Sequence, residues 1–167
     1  MKSLVVIIGI SFLLVAFQRP RVDFSGLWRL DLKESAHLPP SYASLRSYSL
    51  KVREAQDSIH FVVLEVLRSG QEVTSKPTSR RLDGKETMIG DSLPGYTIWI
   101  SARLANSGRS LLVHKRLVHR LGSVVKVSYH DEAWELRDKN MLKLSITDRE
   151  EKGGATDSST CLFRRIR

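Results

Sequence analysis

The stretch Phe24-Ser25-Gly26-Leu27-Trp28-Arg29-Leu30-Asp31-Leu32 repeats its character at every second residue. Phe24, Gly26, Trp28, Leu30 and Leu32 share one face, Ser25, Arg29 and Asp31 share the other, and Leu27 is the exception. A period of two sends neighbouring side chains to opposite sides of an extended backbone, so this stretch predicts a half-buried strand. The pattern returns downstream, where Tyr48, Leu50 and Val52 alternate with Ser49, Lys51 and Arg53. It returns again where Leu142, Leu144 and Ile146 alternate with Lys143, Ser145 and Thr147. Residues 59–67 are apolar on both faces apart from His60 and Glu65. Their β-branched and aromatic content (Ile59, Phe61, Val62, Val63, Val66) selects a doubly covered strand over a buried helical turn.

Turn residues punctuate these runs. Asp83-Gly84 predicts a tight hairpin turn, and Asn106-Ser107-Gly108 a three-residue hairpin loop with Gly108 in the left-handed conformation. Pro94-Gly95, Leu121-Gly122 and Asp138-Lys139-Asn140 mark further turns, and the polar residues 150–159 predict a loop before a last strand at 160–165. Short connections and no amphipathic helix give an all-β fold. We expect an antiparallel up-and-down β-barrel of about eight to ten strands, occupying residues 23–167.

The N-terminus reads differently. Lys2 precedes an apolar run from Leu4 to Phe17, which Gln18, Arg19 and Pro20 end. Charge, core length and position predict a signal peptide over residues 1–16, followed by a tail at 17–22. The alternative is an uncleaved membrane tether, for which the run is short against the about 20 apolar residues of a spanning helix. Either way the domain is expected outside the cytoplasm, periplasmic or secreted. The chain has 167 residues and one cysteine, Cys161, so no intramolecular disulfide or cysteine-rich zinc site is available. Cys161 alternates with Phe163 and is expected to be a buried thiol; a reactive thiol is the other reading.

The opening segment Asp23-Phe24-Ser25-Gly26-Leu27-Trp28-Arg29-Leu30 resembles the first strand of the calycin superfamily, in which lipocalins and fatty-acid-binding proteins carry Gly-x-Trp after an aromatic residue. The chain is also similar to bacterial secreted lipocalin-like proteins in Asp31-Leu32-Lys33-Glu34-Ser35 and in Leu82-Asp83-Gly84-Lys85-Glu86. Glu132-x-Trp134-x-Leu136 and the terminal Phe163-Arg164-Arg165 continue that similarity. The resemblance implies a calycin barrel in which Gly26 and Trp28 meet Arg164 or Arg165 where first and last strands join, a structural role. It carries over no pocket chemistry, and the paired cysteines of secreted lipocalins are absent from this sequence.

Sites of known chemistry are sparse. His130-Asp131-Glu132 is the densest titratable cluster, but on a strand only His130 and Glu132 share a face. A catalytic zinc would need a third ligand from His114 or His119, and a surface charge cluster is the expected reading. His114, Arg116 and Arg120 share a face with Val118, opposite Lys115, Leu117 and His119, as on a solvated strand. No Gly-x-Ser-x-Gly elbow, phosphate loop or dinucleotide fingerprint occurs, so no catalytic residue, metal or cofactor is assigned.

The formal net charge is +9, with basic groups at Arg80-Arg81, Lys115-Arg116 and Arg164-Arg165-Ile166-Arg167. An export signal points away from nucleic acid as the target. The expectation is a monomeric binding protein holding a small hydrophobic or amphipathic ligand, lined by Tyr48, Phe61, Ile98, Tyr129 and Trp134. The same side chains could instead simply fill the core. A module docking its basic exterior on an anionic envelope surface is the second expectation, and an enzyme using His130 and Glu132 the third.

Overall fold

Alternating residues form strands throughout the computed structural model, which describes residues 22–89, 95–151, 154 and 156–166. The strands are β1 (Gly26–Leu30), β2 (Leu45–Glu54), β3 (Ser58–Leu67), β4 (Glu72–Thr74), β5 (Thr78–Arg81), β6 (Thr87–Ile89), β7 (Tyr96–Ala105), β8 (Ser110–Leu121), β9 (Val124–Asp138), β10 (Met141–Glu150) and β11 (Asp157–Ile166). They form one sheet in the order β4-β3-β2-β1-β11-β10-β9-β8-β7-β6, with β5 also beside β3. Every ladder between them is antiparallel. The expected signal peptide, most of the tail and Arg167 lie outside the described residues.

Among the described residues the sheet has eleven strands rather than about eight to ten, and it is not closed into a barrel. The segment around Asp83-Gly84 explains both differences. It is no hairpin, because β5 pairs with β3 whereas β6 pairs with β7. The chain instead crosses from one sheet edge to the other, touching both on the way. Leu82 N–H donates to Asp57 O at 2.8 Å, and Gly84 N–H donates to Ala102 O at 2.9 Å. Asp83 and Arg103 form an isolated bridge. The edges therefore approach without sharing a ladder. Pro77, which has no N–H, lies between β4 and β5 and divides what could have been one strand.

Other turns are closer to expectation. Asn106, Ser107 and Gly108 form a 3-10 turn, and all three have left-handed φ (52°, 56° and 83°), not Gly108 alone. β11 begins at Asp157, so Thr147 pairs with Ser158 and Asp148 with Asp157 inside the expected loop.

One face of the sheet is concave and holds the core. Trp28, Leu50, Ile59, Leu111, Trp134, Leu142, Cys161 and Phe163 are all buried there. Curling is shown by Phe61 of β3 and Trp134 of β9, which have four strands between them in the order yet have ring centroids 5.4 Å apart. The first and last strands meet in the middle of the sheet, where Trp28 faces Arg165. Trp28 N–H donates to Phe24 O at 3.0 Å, and the Arg165 guanidinium lies 4.5 Å from the indole centroid. That stacking contributes about 0.5–2 kcal/mol. A Cβ on Gly26 would meet Trp28 Nε1 at 3.3 Å and Arg165 Nε at 3.4 Å, so glycine lets the pair close over the backbone. Arg164 points to the other face and donates to Asp31 Oδ2 at 2.8 Å.

Candidate ligand site in the concave face

Strand alternation splits each basic pair between two surfaces. Arg80, Lys115 and Arg165 turn to the concave side. Arg81, Arg116 and Arg164 turn outward, where Asp83, Glu86 and Asp31 neutralise them. The excess positive charge is therefore partly internal.

A cavity of about 380 Å³ lies between the two arms of the curled sheet. Tyr42, Tyr48, Phe61, Trp134 and Phe163 give it an aromatic wall, extended by Leu50, Val63, Leu144 and Ile146. The 3-10 turn Pro40–Ser44 brings Tyr42 against Tyr48, with centroids 5.1 Å apart. Burial pushes the Tyr48 phenol up to about 12, so it remains a neutral hydrogen-bonding group. The same lining carries charge beside these aromatics, with Arg80, Lys115, His130, Glu132 and Asp148. Lys115, His130 and Asp148 also line a second, more open space of about 610 Å³ running to Leu117, Ser128 and Asp157. Those three side chains thus stand where the two spaces meet.

Register brings the charged groups together. Lys115, His130 and Asp148 are direct neighbours across β8, β9 and β10. Glu132, two residues along the same face of β9, receives most of their hydrogen bonds. His130 Nε2 lies 3.0 Å from Glu132 Oε1, and Trp134 N–H donates to Glu132 Oε2 at 2.9 Å. The Lys115 ammonium donates to the same carboxylate. His130 Nδ1 is 2.7 Å from Asp148 Oδ1.

The electrostatics follow from these contacts. Burial alone would raise the Glu132 carboxyl, but the His130 bond and the charge and bond of Lys115 outweigh it and hold the group down at about 2. For His130, the bond to Glu132 raises the pKa against the opposing effects of burial and Lys115. Donating to a carboxylate from each nitrogen requires a doubly protonated ring. Such a ring has no free lone pair with which to accept a proton. Glu132 and His130 are therefore held as fixed opposite charges, with Lys115 beside them.

The expected lining residues separate into groups. Tyr48, Phe61 and Trp134 line the cavity. Ile98 packs on the core from β7 without reaching that cavity. Tyr129 lies on the outer phase of β9, where its ring stacks on His114 at 5.7 Å and beneath Arg149 at 4.4 Å. Its hydroxyl donates to Glu151 at 3.2 Å, and it borders only the open space. His130 and Glu132 do not form the expected surface cluster, because the Glu132 side chain is only 11% exposed and both face inward. His114 and His119 do not join them: the first pairs with Asp131 on the outer side and the second stacks on Tyr96 at 3.8 Å.

Arg80 and Lys115 stood in the sequence only as members of basic pairs, and Asp148 was singled out by no motif. Two of them did leave a trace in the alternation. Asp148 continues the inward phase Leu142, Leu144, Ile146, and Lys115 follows Val113 in the same phase. Compared with known proteins, the chain matches no family model and no curated protein.

Proposed function

We propose that this chain is an exported binding protein that holds a small hydrophobic or amphipathic molecule in the concave face of its sheet. The observation that carries the reading is the half-open cavity of about 380 Å³, lined by aromatic and aliphatic side chains together with a few polar and charged groups. Small-molecule sites typically occupy about 300–1,000 Å³ and combine an apolar lining with a few placed polar groups. The calycin-like opening strand and the N-terminal apolar run favour the same function and an exported location. Acid–base catalysis draws less support from this geometry, since Glu132 and His130 are saturated by one another and by Lys115 and Asp148. Docking of a basic exterior also draws less, since the basic pairs split between an inward cation and an outward ion pair.

The test is displacement of a fluorescent fatty-acid probe, together with mass spectrometry of organic extracts of the purified protein. The unaltered protein should bind the probe, and Leu144→Trp, which fills the cavity, should weaken binding about tenfold or more through lost apolar contact. Probe binding unaffected by Leu144→Trp would place the ligand elsewhere and overturn the reading.

A further inference from the structure

We propose that the tip of the β8–β9 hairpin docks on an anionic phospholipid bilayer, with Leu121, Val124 and Val125 entering its interface and Arg120 and Lys126 meeting the phosphates. The inference goes beyond the cavity reading and uses none of the residues that line that cavity.

Seven large hydrophobic side chains are exposed among the described residues, and three of them gather at this one tip: Leu121 and Val124 at 53% and Val125 at 49%. The hairpin also outreaches its neighbours. Toward β7 its last backbone bond among the described residues is from Arg120 N–H to Gly95 O at 2.8 Å; toward β10 it is from Glu151 N–H to Val127 O at 3.0 Å. Register then orders the tip by chemistry. Leu121 pairs with Val124 at the end, Arg120 with Val125 one position behind, and His119 with Lys126 two behind. At ~3.3 Å per residue, the cations stand a few ångströms behind the apolar end. Neither Arg120 nor Lys126 forms an ion pair among the described residues. The carboxylates nearest the tip are Glu150 and Glu151, which leave β10 beside Ser128 and Val127 and border a recess with Val124, Val125 and Lys126. They match the two cations in number, so sequence of approach rather than net charge sets the preference. A surface met tip first encounters apolar side chains, then cations, then carboxylates. That order fits a hydrocarbon boundary lying beneath anionic phosphates. Three apolar side chains are too few for a stable protein partner, which needs about 800 Å² from each side.

The experiment labels the full chain with an environment-sensitive thiol dye at Val124→Cys and, separately, at Lys139→Cys in the turn at the far end of β9; the buried Cys161 stays unlabelled. With vesicles of equal parts phosphatidylglycerol and phosphatidylcholine, the dye at position 124 should brighten and shift to the blue, and the dye at 139 should not. Affinity read from position 124 should be about fivefold or more tighter than for phosphatidylcholine alone, the scale of one cation near an anionic surface. Leu121→Asp should weaken binding about tenfold or more, and Arg120→Gln with Lys126→Gln should remove the preference for anionic vesicles. In the unaltered protein, amide exchange over residues 121–125 should slow on these vesicles, a readout that needs no variant to fold. No response at position 124, or an equal response at 124 and 139 as adsorption elsewhere on the chain would give, overturns the docking. Equal affinity for the two vesicle types overturns its anionic partner. The cavity reading stands in either case, since the fatty-acid probe tests it separately.

Discussion

Glu132 is a carboxylate taken out of water and made tolerable by three donors, Lys115, His130 and Trp134. Removing one member of a buried ion pair strands the rest, and Glu132→Gln should cost about 3 kcal/mol. That is the low end for such breakage, because the Lys115 and His130 side chains keep 28% and 25% exposure. The pair also gives stability a pH window. The Glu132 pKa falls from 4.5 to about 2 on folding, so its contribution is full above pH 4.5 and is lost as pH falls through about 2. The His130 pKa rises from 6.5, so its contribution is full below pH 6.5 and is lost as pH climbs through the raised value. Denaturant midpoints should therefore be highest between pH 4.5 and 6.5 and fall on both sides. In Glu132→Gln the acid-side fall should shrink; an identical profile in the variant would assign the window to other groups.

At the scale of the element, the weak place is where the two sheet edges approach. β4, β5 and β6 are three or four residues long and largely exposed, whereas β8 to β10 are long and paired on both sides. Local opening is cheapest where few buried contacts resist it. In hydrogen exchange, amides of β5 and β6 should exchange well before those of β9, and equal protection would show that the edges are firmly joined. The same contrast explains what could be read in advance. β1, β2 and β10 announce themselves because apolar and polar residues alternate in sequence, and β3 does so through its β-branched and aromatic run. β9 is less clear, since its inward residues His130 and Glu132 are charged and blur the alternation. The division of β4 from β5 and the crossing at Asp83-Gly84 depend on which strand each segment finds, which is a matter of three-dimensional partners. Tyr48, Phe61 and Trp134 were legible as apolar residues in inward phase. Arg80, Lys115 and Asp148 were not, because their meeting is set by register between strands rather than by spacing along one.

For the molecule as a whole, Cys161 reports on integrity. It is fully buried opposite Leu144, and burial, followed by the charge of Glu132, pushes its thiol up to about 11. Thiolate is the reactive form, so the folded protein should resist a disulfide-exchange reagent at neutral pH. Labelling along a denaturant series should follow the loss of circular dichroism; rapid labelling without denaturant would mean that the core opens around β11.

The meeting of β1 and β11 has a consequence for the time course of folding. The bond from Arg164 to Asp31 spans 133 positions, and β1 alone joins the β2 arm to β11. Loop closure on that scale must precede any reward from the contacts it creates, which slows the search. Hairpins such as β8–β9 can form early from neighbours in sequence, but the two arms share no continuous ladder until β11 is in place. The cavity between them is consequently among the last features to appear, and a ligand can meet only the finished protein.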